Sequence, residues 1–516
     1  MAFDNFWERA ARQPERVAVV APNESTVTAG ALLAATNQLV HGLRSLGLKR
    51  GDVIAAVLPN SVEAHELHLA VLQAGWYLVP INFHLVAAEI AYILQDCEAA
   101  VFVAHERFAD ACAEAARAIG FRSDRAFSIG AVDGFRPYDE LKQGQPSTLP
   151  TDRSLGMTMN YTSGTTGRPK GVYRPLSEEK PDDADLGAAL AEGYGVKRNG
   201  LENVHLLACP WYHTAPLVMA APSMHLGHTL VIMDRFQPEQ ALQLIERFRV
   251  TITHLVPTQF VRLLALPDDV RQRYDVSSLR HVIHGAAPCS PDVKRRMIEW
   301  WGPVLDEYYA STEGVGGTII FSEDWLRKPG SVGRARNGNE IVILDDDGNP
   351  LPPGQIGTVY TTNRRGFEYF KDPDKTSQAK RGTLSTVGDV GYLDEDGYLF
   401  LSDRRTDLIL SGGVNIYPAE IEGVLVAHPK VADVAVFGIP NEEWGQEVKA
   451  VVEPRAGEQA GPELAAELLA FLGGRLARFK WPRSIEFIEE MPRDPNGKLY
   501  RRKLREPYWA DSVAAT

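Results

Sequence analysis

Apolar and polar positions along the first half of the chain alternate between two periods. Leu32, Leu39, Leu43 and Leu46 recur at helical spacing, and Gly47 predicts the end of that helix because glycine takes the left-handed cap without steric cost. Val53–Val57 is a short unbroken apolar run, the pattern of a buried strand. Asn60 or Ser61 stands where it can cap a following helix that runs to about Gly75. Residues 77–79 and 100–103 repeat the strand signal, and so does 229–233. Pro238 opens a helix with Leu242, Ile245 and Phe248 on one face, and 250–255 reads as the next strand. Apolar strands separated by amphipathic helices predict an α/β fold: parallel sheets covered by helices.

From residue 404 the rhythm changes. Pro418 opens a short helix that ends near His428, two strands follow at 434–437 and 448–452, and Leu464, Leu468 and Leu472 mark another helix before a strand at 485–488. This pattern predicts a small α+β unit, so that the chain divides into 1–403 and 404–516. Its 516 residues exceed what one hydrophobic core normally supports. No internal repeat is evident, and the polar stretch 177–185 reads as a solvated loop.

The charge balance narrows the partners. With 54 basic and 67 acidic side chains the formal net charge is −13, which argues against nucleic acid as a partner. Cys97, Cys112, Cys209 and Cys289 form no CxxC pair and no zinc pattern, so a reducing compartment is expected. The N-terminal segment is charged and amphipathic and lacks the apolar core of a signal peptide; no uncharged apolar run reaches about 18 residues. A cytoplasmic protein without an integral membrane segment is expected. The sequence leaves peripheral membrane contact open, and equally a homo-oligomer.

The densest chemistry lies at 161–171, Tyr-Thr-Ser-Gly-Thr-Thr-Gly-Arg-Pro-Lys-Gly. Gly164, Gly167 and Gly171 let backbone N–H groups approach phosphate oxygens; Thr162, Ser163, Thr165 and Thr166 add hydroxyl donors, and Lys170 adds positive charge. A flexible surface loop has the same composition, so the order of residues decides. Lys170 is followed by Gly171 and the glycine spacing is wrong for a Walker loop, which excludes a P-loop kinase.

This phrase resembles the mobile phosphate loop of the adenylate-forming superfamily: acyl-CoA synthetases, aryl-CoA ligases, luciferases and peptide-synthetase adenylation domains. The resemblance continues in order almost to the end of the chain. Cys209-Pro-Trp-Tyr-His213 is similar to the segment whose histidine lies beside the acyl carboxylate; a lone histidine among aromatics would otherwise read as a packed core residue. His284-Gly285-Ala286-Ala287-Pro288 resembles the strip on which adenine lies, although a tight strand-to-helix turn has the same letters. In 306–314, Tyr309 matches the ring that stacks on adenine, Thr312 the hydroxyl at the α-phosphate, and Glu313 the magnesium ligand. Asp389 matches the carboxylate that holds the ribose hydroxyls, although Val387 stands where the family more often has threonine, and Arg404 should reach the ribose too. The family's hinge position, usually lysine or aspartate, is Thr406 here. Gly412 and Gly413 belong to the loop brought in for thioester formation, and Lys498 matches the lysine that reaches the carboxylate and α-phosphate; outside such a pattern, a lysine after a Pro/Asn/Gly turn is a solvated surface group.

The resemblance implies a large N-terminal α/β domain, a small mobile C-terminal domain, and an ATP-dependent acid–CoA ligase that uses Mg²⁺ and takes coenzyme A as substrate. The acid expected is fatty or bulky and steroid-like, which would put the enzyme in lipid metabolism. Rival readings are an acyl-AMP ligase that loads a separate carrier protein, a luciferase-like oxidase, and a non-catalytic nucleotide-binding relative. The charged groups Lys170, Glu313, Asp389, Arg404 and Lys498 are all present, which favours a working enzyme. Gly314, Gly316 and Gly317 fit either an open acyl channel or backbone turns. Trp211, Tyr212, Val218 and Met219 fit either a pocket lining or the core.

Overall fold

The computed structural model describes residues 4–513 apart from 163–168, 198–201, 337, 364–365, 405–406, 408, 412–413, 442–443, 474, 477 and 494–498. The chain forms two compact units. The first comprises residues 1–254, 274–282 and 365–377; the second comprises 255–273, 283–364 and 378–516.

The first unit is built on parallel strands, as the apolar runs predict. Its six-stranded sheet has the order Arg136–Pro137, Ala126–Ile129, Val101–His105, Val53–Val57, Tyr77–Pro80, Met157–Thr158, and every pairing is parallel. Val53–Val57 is buried at all five positions, which explains its continuous apolar letters. Helix Ala29–Ser45 is capped by Thr28, whose hydroxyl accepts from the N–H of Ala31 at 3.2 Å. Ser61 caps helix Val62–Ala74 in the same way, and Gly75 ends it in the left-handed conformation at φ 73°. Gly42 lets helix Ala29–Ser45 approach the chain at Leu141: a Cβ there would sit 1.7 Å from the Leu141 carbonyl oxygen.

A second sheet of this unit runs Thr26–Thr28, Val17–Val20, Thr229–Ile232, Val204–Leu207, Ile252–Leu255, parallel except at its Thr26–Thr28 edge. Six buried histidines lie around it and around helices Val62–Ala74 and Thr214–His225. Burial holds the rings of His65, His205, His225 and His228 down to about 3, and those of His68 and His254 down to about 4.

The second unit contains the sheet that the sequence does not announce. Strands Lys380–Arg381, Leu384–Ser385, Gly357–Thr362, Asp389–Leu393 and Leu399–Arg404 form an antiparallel array, with Ile341–Leu344 paired to Gly357–Thr362. Toward the C-terminus, Val431–Asn441 and Gly445–Pro454 make a long antiparallel hairpin, with Ser484–Phe487 parallel to its second arm. Both arms extend beyond the apolar stretches expected from sequence, because hairpin pairing continues into half-exposed residues. Ile421 and Leu425 of helix Pro418–Leu425 and Leu464 and Leu468 of helix Pro462–Phe471 share a core with Val434, Val436 and Val452. That helix stops at Leu425, short of His428.

At the heart of the second unit is a buried ion pair. Lys294, on helix Pro291–Trp301, is fully buried, and its Nζ lies 2.6 Å from Glu307 on strand Leu305–Ala310. The ammonium also lies over the Trp325 ring, 4.9 Å from its centroid. Among the described residues no helix is long and apolar enough to cross a membrane.

Two predictions follow from these buried charges. A histidine kept neutral by folding takes up a proton more readily when unfolded. The stability it contributes is therefore fully present above its ordinary value near 6.5 and lost as pH falls toward 3–4. The melting temperature should be flat from pH 8 to about 7 and fall steeply from about pH 6.5 to 5; a flat profile down to pH 5 would contradict the burial of these rings. Lys294→Met leaves the Glu307 carboxylate buried without its cation and should cost about 3–5 kcal/mol in urea unfolding. The double variant Lys294→Met/Glu307→Leu should recover most of that loss, and an equal or larger loss in the double variant would show that the pair is not the cause.

Candidate active site

In the first unit, the glycine loop sits between two short paired strands. Tyr161–Thr162 and Lys170–Tyr173 run antiparallel with Thr162 opposite Lys170. Ser163, Gly164, Thr165, Thr166 and Gly167 lie outside the described residues. The base of the loop is clamped on both sides. Tyr161 donates from its hydroxyl to Asp96 at 2.6 Å, and Tyr92 donates to the Pro169 carbonyl at 3.1 Å. Gly171 passes so close to the Tyr161 ring that a Cβ would lie 3.1 Å from it. Lys170 Nζ lies 3.2 Å from Asp372. Partial burial pulls the ammonium down, but the hydrogen bond to Asp372, together with the charge of Asp372 and the neighbouring Tyr92 and Asp96, outweighs it and raises it above the usual lysine range.

His213 is the N-cap residue of helix Thr214–His225. The segment leading to it is fixed by two asparagines. Asn60 donates from Nδ2 to the carbonyls of Cys209 and Met233, at 3.1 and 2.9 Å, while its Oδ1 accepts from Trp211 N–H at 2.7 Å. Three of its four hydrogen-bonding positions are thus used on backbone. Asn160 holds the Tyr212 carbonyl at 3.3 Å, and the Tyr212 and His213 rings lie 4.2 Å apart. Trp211, with its indole N–H on the Leu58 carbonyl at 2.6 Å, and Tyr212 belong to the core cluster; Met219 is buried, and Val218 is 43% exposed. Of the four lining candidates, Trp211 and Tyr212 are core residues.

Strand His281–His284 leads into Gly285, Ala286 and Ala287, which belong to the second unit. Gly285 has no room for a side chain: a Cβ would meet both the ring and the carbonyl oxygen of Tyr308 at 2.7 Å. Ala286 takes φ 67°, a conformation uncommon outside glycine, and strain of this kind gathers at functional turns. Beneath the strip, buried His284 packs edge-on against Phe260, and its Nε2 lies 3.8 Å from Glu307. Burial pushes the Glu307 carboxyl up, against the opposing pull of Lys294.

Tyr309 and Asp389 meet directly. The Tyr309 hydroxyl donates to Asp389 Oδ2 at 2.6 Å across 80 residues of sequence, and Asp389 is only 8% exposed. Asp389 opens strand Asp389–Leu393 just after Gly388, which has φ 83° and is held by Thr386 Oγ1 at 3.0 Å. Val387 therefore does not disturb this turn. Thr312 and Glu313 lie in the turn between strands Leu305–Ala310 and Gly316–Ile320, which is closed by bonds between Ser311 and Gly314 and between Ser311 and Val315. Asn363 donates to the Glu313 carbonyl at 2.9 Å, and Glu313 is buried at 7% exposure. Gly314, Gly316 and Gly317 all have positive φ, and a Cβ on Gly316 would lie 2.7 Å from the Tyr309 carbonyl oxygen. Backbone geometry alone accounts for these glycines.

Arg404 is the last residue of strand Leu399–Arg404, with its backbone in register with Asp389. Gly412 and Gly413 lie outside the described residues, between strands Ile409–Ser411 and Val414–Ile416, which pair as Ser411 opposite Val414. Thr406 and Lys498 also lie outside them. Lys498 is followed at once by a bridge between Leu499 and Arg493, and Arg493 Nη2 bonds Asp433 at 2.8 Å. No cluster of three or more His, Cys, Asp or Glu side chains suited to a metal exists among the described residues. A buried carboxylate such as that of Glu313 suits an ion that arrives already bound to phosphates, which is how Mg²⁺ usually binds. Asp96, Asp372, Asn160 and Asn363 carried no local sequence signal, and Asn60 carried only that of a helix cap, the place Ser61 takes; all five act through contacts distant in sequence.

Comparison with known proteins identifies the family. The family model described as AMP-binding enzyme matches residues 6–367, and that of the AMP-binding enzyme C-terminal domain matches 420–498. A fatty acid–[acyl-carrier-protein] ligase, ScoC of Streptomyces coeruleorubidus, is 33% identical, the match covering 98% of this chain and 96% of the relative. The long-chain-fatty-acid–CoA ligase FadD13 of Mycobacterium tuberculosis is 32% identical over 98% of this chain and 97% of its own. ATP-bound MatB from Rhodopseudomonas palustris superposes with a TM-score of 0.82 at 30% identity, covering 98% of this chain and 99% of that one. The chain belongs to the AMP-binding enzymes, the adenylate-forming superfamily, and is an enzyme of the acid–thiol ligase class.

Proposed function

We propose that this chain joins a carboxylic acid to AMP and then passes the acyl group to coenzyme A. The observation that carries the reading is the Tyr309–Asp389 hydrogen bond. It sets an aromatic face beside a carboxylate, the pair that a purine ring and a ribose diol require. Gly285, Ala286 and Ala287 would lie along the adenine, Arg404 would join Asp389 at the ribose, and Thr312 would meet the α-phosphate. Thr162, Ser163, Gly164, Thr165, Thr166, Gly167 and Lys170 would hold the outer phosphates, and His213 would stand beside the acyl carboxylate. Glu313 would hold Mg²⁺, which supplies charge neutralisation on the phosphates.

The first step sets one anion against another. A carboxylate oxygen attacks the α-phosphorus and pyrophosphate leaves, so the site must supply positive charge where negative charge gathers. Lys498 is the group we assign to that place. In the second step the thiol gives up its proton, sulfur attacks the acyl carbon, and AMP departs with the electrons of the broken bond. Residues 404–516 would turn about Thr406 to bring Gly412 and Gly413 in for that step. The acid we favour is fatty or bulky, since both ScoC and FadD13 are named for fatty acids. ScoC, named for an acyl-carrier-protein acceptor, favours a second reading in which the thiol belongs to a separate carrier protein.

A product assay separates these readings. Purified protein with ATP, Mg²⁺ and a panel of fatty, aromatic and steroid-type acids should release AMP only when an acid and coenzyme A are both present. Thioester formed only on a phosphopantetheinylated carrier would move the acceptor, and absence of acid-dependent pyrophosphate release across the panel would overturn adenylation itself. Lys498→Ala should lower acid-dependent ATP–pyrophosphate exchange by about 10²–10³-fold, the cost of one transition-state donor. Asp389→Ala should raise KM for ATP by about 10-fold or more, and Tyr309→Phe, which keeps the ring and loses one bond to a charged group, by less. An unchanged KM in Asp389→Ala would remove that residue from the ribose.

A further inference from the structure

We propose that Asp372 is the positioning residue of Lys170: it sets the lysine ammonium at the exit of the glycine loop, ready for the outer phosphates of ATP. The inference rests on the reading above that places Lys170 on those phosphates. A lysine carries a point charge on a flexible four-carbon stem, so it loses rotamer freedom on meeting a ligand unless something has already fixed it. Lys170 Nζ lies 3.2 Å from Asp372 Oδ2, and the two side chains are 23% and 24% exposed. Among the described residues Asp372 is the one ion-pair partner of Lys170. An ammonium has three donors, so this contact leaves two for phosphate oxygens.

An isolated ion pair near a protein surface is worth little, but this one is built into a frame. Strand Lys170–Tyr173 pairs with Glu368–Tyr369, Val172 opposite Tyr369, and the Phe370 N–H donates to the Gly171 carbonyl at 2.8 Å. Asp372 is thereby tied to the strand that carries Lys170. Its other oxygen, Oδ1, accepts from the Lys375 N–H at 3.0 Å in the manner of a helix cap, so the carboxylate is itself held in place. Just before it, Lys371 takes φ 56°, a conformation uncommon outside glycine. The Lys371 ammonium holds that turn down. It donates to the Asp96 carbonyl at 2.8 Å, at the end of helix Ala87–Asp96, and lies 2.9 Å from Glu98. The carboxylate of the same Asp96 accepts from the Tyr161 hydroxyl. One helix end therefore anchors both limbs of the glycine loop, Tyr161 directly and Lys170 through Lys371 and Asp372. Backbone strain persists only where the surroundings over-determine it, and here it serves to bring a fixed carboxylate to a phosphate-loop lysine.

The test is calorimetric titration of the full chain with ATP and, separately, with AMP, both with Mg²⁺ present. AMP lacks the outer phosphates, so it reports on the rest of the nucleotide site. Asp372→Asn should raise Kd for ATP by about three- to fivefold, the worth of a partly exposed ion pair, and leave Kd for AMP unchanged. Lys170→Met should weaken ATP at least as much, and the double variant should be no weaker than Lys170→Met alone, because Asp372 acts through the lysine. Asp372→Asn keeps an acceptor for the Lys375 N–H, so the chain should fold; should it not, Asp372→Ser, which also caps, takes its place. ATP binding that is unchanged or tighter in Asp372→Asn, beside a weakened Lys170→Met, would overturn the positioning role and leave Lys170 on the phosphates. Equal weakening of ATP and AMP in Asp372→Asn, or additive losses in the double variant, would overturn it too, as the mark of a residue that serves the fold alone. Wild-type affinity for ATP in Lys170→Met would take that lysine off the phosphates, and the inference would fall with the reading it rests on.

Discussion

A lysine and a glutamate, both removed from water, hold the second unit in register. Dehydrating either charge alone costs several kcal/mol, so the 2.6 Å contact between Lys294 and Glu307 constrains the fold as much as it stabilises it. Side chains alternate faces along a strand, so Glu307 and Tyr309 lie on the same side of Leu305–Ala310. A one-residue slip would bury a carboxylate without its cation and turn the Tyr309 hydroxyl away from Asp389. The pair thereby fixes the position of the ring that the proposed chemistry needs. It also ties helix Pro291–Trp301, which follows the Gly285–Ala287 strip, to the strand carrying Tyr309.

The first unit solves the same problem with neutral groups. Asn60 and Asn160 spend their amides on backbone carbonyls and an N–H around residues 209–212, and that order carries through to His213 at the helix cap. Charge is kept at the loop base, where Asp372 holds Lys170 and Asp96 accepts from Tyr161. A carboxylate that pairs with Lys170 holds the ammonium protonated and ready, yet leaves it 23% exposed and able to meet a phosphate.

What could be read from the sequence follows from what each element buries. Val53–Val57 was legible because a strand covered on both faces writes an unbroken apolar run. Helix Val62–Ala74 was legible because Ser61 and Gly75 mark its ends. The antiparallel strands from Ile341 to Arg404 were not, because pieces of two to six residues with half-exposed faces carry too few letters for a period. The motif residues could be named one by one from the resemblance, but their partners could not. Asp389 lies 80 residues from Tyr309, and Asn60 lies 151 from Trp211. No local pattern encodes contacts at that range; only the folded chain brings them together.

The glycines after Glu313, which the sequence leaves open between an acyl channel and backbone turns, are decided by backbone geometry. Small side chains suggest an open channel, but Gly314, Gly316 and Gly317 all take positive φ, and a Cβ at Gly316 would collide with the backbone of Tyr309 and Ala310. Their size is dictated by the turn that presents Thr312 and Glu313, so it carries no information about the acid. The same test applies to the aromatic segment before His213. Trp211 and Tyr212 are packed into the core, the first with its indole N–H already bonded, and Met219 is buried. A side chain in van der Waals contact on all sides has little surface left to sense a ligand. Val218, one turn past His213 on helix Thr214–His225, is the only one of those four with surface to give.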